Sequence, residues 1–113
     1  MPFDGRGGQV VSLSFDEFTS LCPVTGQPDF GTITISFVPN DKLIESKSFK
    51  LFLGSFRNHQ TFHESVVQTV FDLVVKLLGD VPLRVVGDFK PRGAVKIVTQ
   101  RSQRLGELKA LEG

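Results

Sequence analysis

Cys22 is the one cysteine of the chain, and it stands directly before Pro23 in the stretch TSLCPVTGQPD. Asp29 follows seven residues on, past Gly26 and Pro28. A Gly/Pro turn between the two is able to return the carboxyl to the sulfur. A thiol beside an acid suits covalent attack followed by protonation. Each residue also has a plainer reading. Most lone cysteines are small buried core residues, and an Asp after Pro is an ordinary turn residue.

His63 and Glu64 form a second candidate pair. Thr61 and Glu64 match a capping box, in which hydroxyl and carboxylate each take an orphan backbone N–H at a helix start. In the alternative, the Glu64 carboxylate accepts hydrogen bonds from a ligand. One carboxylate does not easily serve both. Lys47 and Lys50 are a third candidate pair. They share one face of a predicted helix, in turns where the macrodipole disfavours cations. Glu45 partly offsets this. Either the lysines are an ordinary solvated face, or they clamp phosphate together with Arg92 of the KPRG turn.

The elements that must position these residues follow from periodicity. VVSLSFDEF alternates, with Val11, Leu13 and Phe15 on one side, and reads as a half-buried strand. TSLCPVTGQPD reads as a loop. GTITISFV is a second strand, with Ile33, Ile35 and Phe37 on one side. From Glu45 the period changes, and Phe49, Phe52, Leu53 and Phe56 predict a helix of about three turns. A second helix is expected from Thr61 to a cap at Gly79, with an apolar face from Val66 to Leu78. LRVVGDF and GAVKIVT read as two more strands, with Gly87 a candidate bulge. Residues 1–8 are expected to be flexible, and 100–113 to be a tail or a short helix.

The order β-β-α-α-β-β predicts an α+β fold, an antiparallel sheet with two helices on one face. The 113 residues make one domain. Charge is balanced, 13 Lys and Arg against 12 Asp and Glu, which argues against a general nucleic-acid-binding face. One cysteine and two histidines exclude a thiolate-rich zinc site and an intramolecular disulfide. No apolar run reaches the length of a membrane span. The start, MPFDGRGG, has no apolar leader core, so a cytoplasmic location is expected. There is no Walker A sequence and no Rossmann glycine fingerprint.

Taken together, FTSLCPVTGQPDF, ESKSFKLFLGSFRN, FHE and KPRG, in this order, resemble the NADPH-dependent nitrile reductases. These enzymes convert 7-cyano-7-deazaguanine to 7-aminomethyl-7-deazaguanine. The resemblance runs from about Val10 to about Val98, and ESKSFK is the family's signature. It implies the tunnelling fold, in which subunits join their sheets into a barrel, here a homo-oligomer of two stacked pentamers. It implies reduction of a nitrile to a primary amine with two NADPH and no metal, in queuosine synthesis for transfer RNA. The partner is a small-molecule base, with no direct contact to nucleic acid or membrane.

Carried over by that resemblance, Cys22 attacks the nitrile carbon to form a thioimide, and Asp29 protonates the nitrogen. Ile44, Glu45 and Ser46 match one substrate-binding segment, and His63 and Glu64 match the other. Ser46, Lys47, Arg92 and Gly93 match the NADPH-contacting positions, and Lys50 belongs to the same signature. The chain is expected to be of the single-module form, with a short N-terminal segment. Two rival readings accompany this one. One is a related enzyme that adds ammonia to the same nitrile in archaeal transfer RNA, without NADPH. The other is a non-catalytic oligomer that sequesters a purine-like or pterin-like base.

Overall fold

The structure is a computed structural model, and it describes residues 8–113. Most of the Gly-rich start, expected to be flexible, lies outside the described residues. Four strands and three helices follow: β1 (Val11–Leu21), β2 (Pro28–Phe37), α1 (Ser46–Gly54), α2 (His63–Leu78), β3 (Leu83–Arg92), β4 (Val95–Gln103) and α3 (Leu105–Glu112). The strands form one antiparallel sheet in the order β1-β2-β3-β4, with β1 and β4 at its edges.

Alternation places the core. Ile33, Ile35 and Phe37 of β2 are buried, as are Leu83, Val85 and Phe89 of β3. Val66, Val67, Val70, Phe71 and Val74 of α2 and Phe49 and Leu53 of α1 join them in one cluster, so both helices cover one face. The opposite face carries hydroxyls. Ser12 bonds Ser36, and Ser14 bonds Thr34, each across the β1–β2 ladder at 2.9 Å. α3 lies on this second face, over one end. Its Leu108 is fully buried yet outside the main cluster. Its Glu112 takes two hydrogen bonds from Arg84, at 2.9 and 2.6 Å, and Arg84 alternates with the inward Leu83 and Val85.

Three local expectations are corrected. TSL is strand, so the loop shrinks to residues 22–27. The reason is a bulge between Phe15 and Phe18, which sets Asp16 and Glu17 against Thr32 alone, and the one extra residue flips the phase. Before it, Leu13 and Phe15 face inward; after it, Phe18 and Ser20 do, both fully buried. Gly87 is not a bulge. It pairs in register with Ile33 and Thr99, and the β3–β4 irregularity falls between Phe89 and Arg92. Gly87 is there for space, because a Cβ would sit 2.7 Å from the Phe89 ring and 2.8 Å from Val67.

The capping box is also absent. α2 starts at His63 with Phe62 at the N-cap, and no side chain caps it. The Thr61 hydroxyl donates instead to the Phe62 carbonyl, at 3.4 Å. The carboxylate that caps a helix is Glu45. It accepts from the Lys47 N–H at 3.2 Å and from the Ser48 hydroxyl at 2.6 Å. The C-terminal end of α2 follows expectation, with Gly79 at φ 82° donating to the Val75 carbonyl.

Candidate active site

A cavity of about 300 Å3 opens where the β1–β2 loop, the start of α2 and the β3–β4 end of the sheet meet. Cys22, Asp29, His63, Glu64 and Lys90 supply its polar lining. Phe62, Val95 and Ile97 supply apolar wall.

Local chain geometry brings these residues together. The Cys22 N–H donates to the Gln27 carbonyl and the Gly26 N–H to the Cys22 carbonyl, both at 2.8 Å. That closes a tight loop whose Gly26 takes φ 73°, a left-handed value that favours glycine. Cys22 is therefore held by its backbone, with its side chain half-buried. The segment before α2 is clipped to the end of β1. Leu21 donates to the His59 carbonyl and Thr61 donates to the Leu21 carbonyl, each at 3.0 Å. This clip delivers the first turn of α2 to Cys22.

Asp29 sits near the start of β2 and is buried, only 7% exposed. Its Oδ2 lies 3.2 Å from His63 Nε2. The His63 ring stacks on Phe89 with centroids 3.9 Å apart and planes within 6°. Two glycines make room for Phe89: a Cβ on Gly31 would meet its Cδ1 at 2.9 Å, and one on Gly87 its Cε2 at 2.7 Å. The imidazole is thus fixed by a flat stack on one side and a carboxyl at its edge. Such a trio of thiol, carboxyl and imidazole can add sulfur to an electrophilic carbon and deliver a proton to the atom next to it. Glu64 is exposed in the first turn of α2, where the macrodipole favours its charge. It caps nothing, so its carboxylate remains available to a ligand.

The signature residues stand elsewhere in the chain. Ser46, Lys47 and Lys50 line a second cleft, against Phe15 and the Asp16–Glu17 bulge. Ile44 and Glu45 border a groove with Leu77 and Leu78. Both Glu45 oxygens are engaged in capping, and the Ser48 hydroxyl holds its carboxyl below the usual carboxylate range. The cap also answers the two lysines near the start of α1, by placing a negative charge at the same helix end. Arg92 closes β3 on its backbone, and its side chain lies outside the described residues. Gly93 makes the turn at φ 64°. Among the described residues, no group of three or more His, Cys, Asp or Glu is placed to hold a metal ion.

Sequence reasoning passed over Lys90, Phe89 and Ser20. Lys90 sits in the irregular end of β3, where alternation gives no side. Ser20 is fully buried beside Asp29 in the β1–β2 register, and among the described residues its hydroxyl has no hydrogen-bond partner. An unmade bond of that kind costs about 1–3 kcal/mol. The bulge that carries Ser20 inward is what concealed it.

The fold and site define an α+β sheet protein with a loop cysteine backed by a carboxyl and an imidazole. Residues 28–107 match the family model described as QueF-like protein. The chain belongs to that family. It is 53% identical over 88 residues to the NADPH-dependent 7-cyano-7-deazaguanine reductase of Desulfovibrio desulfuricans, covering 78% of this chain and 53% of the relative. It is likewise 53% identical to the enzyme of the same name from Helicobacter pylori strain HPAG1, covering 78% and 60%. The chain therefore spans between half and two thirds of the length of these relatives. A crystal structure titled as the archaeosine synthase QueF-Like in the apo form superimposes with a TM-score of 0.76 at 17% identity, over 83% of this chain and 92% of that one. At that identity the likeness concerns the fold alone.

Proposed function

We propose that the protein reduces the nitrile of 7-cyano-7-deazaguanine to the aminomethyl group, with two NADPH per product, through a covalent thioimide on Cys22. The observation that carries this reading is the convergence of Cys22, Asp29, His63 and Glu64 on one cavity. The names of the relatives support the reaction. A place in queuosine synthesis and a cytoplasmic location go with it.

The chemistry follows from the residue types. A nitrile is a poor hydride acceptor. Addition of the Cys22 sulfur forms an S–C bond and breaks one C–N π bond, leaving an activated C=N group. The nitrogen gains a proton from Asp29. His63 holds the Asp29 carboxyl from one side, and Phe89 keeps the imidazole in plane. Glu64 accepts N–H groups of the base. Lys90 lines the same cavity, and a cation close to a thiol favours the thiolate in general.

NADPH, when bound, supplies the hydrides. Lys47 and Lys50 suit its phosphates as cations on one exposed helix face, with Ser46, Arg92 and Gly93 alongside. Asp16 and Glu17 line the same cleft. Because the two clefts are separate in one chain, a second copy would complete the site. The edge strand β4 suits that role. Its Val95, Ile97 and Val98 are 68, 37 and 55% exposed, and two of them wall the cavity. A barrel of paired edges, in a decamer, fits this need.

The test is NADPH oxidation on adding 7-cyano-7-deazaguanine, with the product's mass read from the same tube. Two NADPH consumed per aminomethyl product is the expected result. An oligomeric preparation that consumes none would contradict the reading.

A further inference from the structure

We propose that Ser20 is a positioning residue for Asp29, its hydroxyl donating to the carboxylate once Asp29 has given up its proton. The inference rests on the reading above that Asp29 is the proton donor.

Ser20 is fully buried, and its Oγ makes no hydrogen bond among the described residues. The β1–β2 ladder pairs it directly with Asp29. Residues directly opposite in an antiparallel pair put their side chains on the same face, with Cβ atoms about 4.5–5.5 Å apart. Ser20 and Asp29 therefore share the inward, helix-facing side. Two other hydroxyls of β1 also stand opposite polar partners. Ser12 and Ser14 each bond a hydroxyl of β2 at 2.9 Å. Ser20 differs in having a carboxyl as its ladder partner and in being idle. Buried polar groups almost always find a partner. A serine hydroxyl is a rotor whose proton turns to suit its acceptor.

The groups that line the cavity with Asp29 are Cys22 from the loop, His63 and Glu64 from α2, and Lys90 from β3. Ser20, which is not among the lining residues, adds a neutral donor from the neighbouring strand. A donor of this kind stabilises the ionised carboxyl more than the protonated one. It therefore eases departure of the proton and holds the resulting carboxylate in place, between the hydroxyl and His63.

Ser20→Ala removes the hydroxyl and little else. At acid pH, where the carboxyl keeps its proton and the hydroxyl is unpaired, its melting temperature should equal or exceed that of the wild type, whereas at neutral pH it should fall slightly. The Asp29 carboxyl, followed by carbon-13 NMR of the full chain without substrate, should titrate higher by about half to one pH unit. In the reductase assay kcat should fall about 3–10-fold with KM unchanged. Ser20→Thr, which keeps the hydroxyl, should retain the wild-type titration. An unmoved Asp29 titration in Ser20→Ala overturns the proposal, whatever the turnover. A moved titration with unchanged kcat in an active enzyme overturns the positioning role. A moved titration in a protein that does not reduce the nitrile at all upholds the Ser20–Asp29 link and sinks the reductase reading instead.

Discussion

The Cys22 cavity and the α1 cleft are built in opposite ways. The cavity draws on β1, the loop, β2, the start of α2, β3 and β4, and long-range contacts fix it. Leu21 is tied to His59 and Thr61, His63 to Asp29, and Phe89 to His63. The α1 cleft is local. Its Lys47 and Lys50 are exposed, and the helix that carries them is secured at its start by Glu45, two residues before Lys47. Groups that meet a reacting carbon need fixed positions, because small misplacements lose large factors in rate. Groups that meet a flexible phosphate need charge and reach more than fixed position.

The largest expected effects fall on the fixed cavity. Cys22→Ala should lower nitrile reduction by at least about a thousandfold, since the proposed nucleophile is lost. Asp29→Asn should cost about a hundredfold or more in kcat if it is the general acid proposed above. Steady-state kinetics on refolding-checked variants reads both. If Lys47→Ala proved as damaging to kcat as Cys22→Ala, the distinction between the two clefts would fail. A loss mainly in the KM for NADPH is expected there.

Next comes the support beneath the cavity. Gly87→Ala places a methyl within 2.7 Å of Phe89 and 2.8 Å of Val67. It should destabilise by about 1–3 kcal/mol, the usual cost of overpacking. It should also disturb the His63 stack. Denaturant melts read the first effect and the His63 ring shifts in NMR the second.

How far the sequence revealed these two regions differs as well. Periodicity located the four strands, both long helices and the Gly79 cap, because their apolar residues recur at 2 or about 3.6. It failed at residues 16–20. Asp16 and Glu17 break the alternation, and a bulge rephases the strand rather than ending it. That error hid Ser20. The capping roles were exchanged for a related reason. Thr61–Glu64 matched the pattern, but α2 starts at His63, after the clip between Leu21 and Thr61. No local pattern contains that tertiary contact. The grouping of Cys22 with His63 and Glu64 came from the family resemblance, since 41 residues separate Cys22 from His63.

The exchange of caps yields a sharper comparison. Glu45→Gln should lower the melting temperature by a few degrees, through a weakened N-cap. Glu64→Gln should leave it unchanged while weakening affinity for the base. Equal losses of stability in the two variants would restore the capping box.

The smallest effect expected is a pH dependence of stability. Glu45 is held below the usual carboxylate range by Ser48, and Glu112 by the hydrogen bonds and charge of Arg84. A carboxyl whose folded value is depressed stabilises the protein above its unfolded value. That share is lost as pH falls below about 4.3, the ordinary Glu value, and through the lowered folded value. Arg84→Met should flatten this acid limb in thermal melts taken from pH 6 to 3. A limb as steep as that of the wild type would remove the α3 contact from the account.

The most direct test of the cavity as a covalent site is intact mass. The protein is mixed with 7-cyano-7-deazaguanine without NADPH, and wild type is compared with Cys22→Ala. A gain equal to the whole base is expected in the wild type, with nothing lost, and no gain in Cys22→Ala. Unchanged mass in a wild-type sample that binds the base tightly would contradict it.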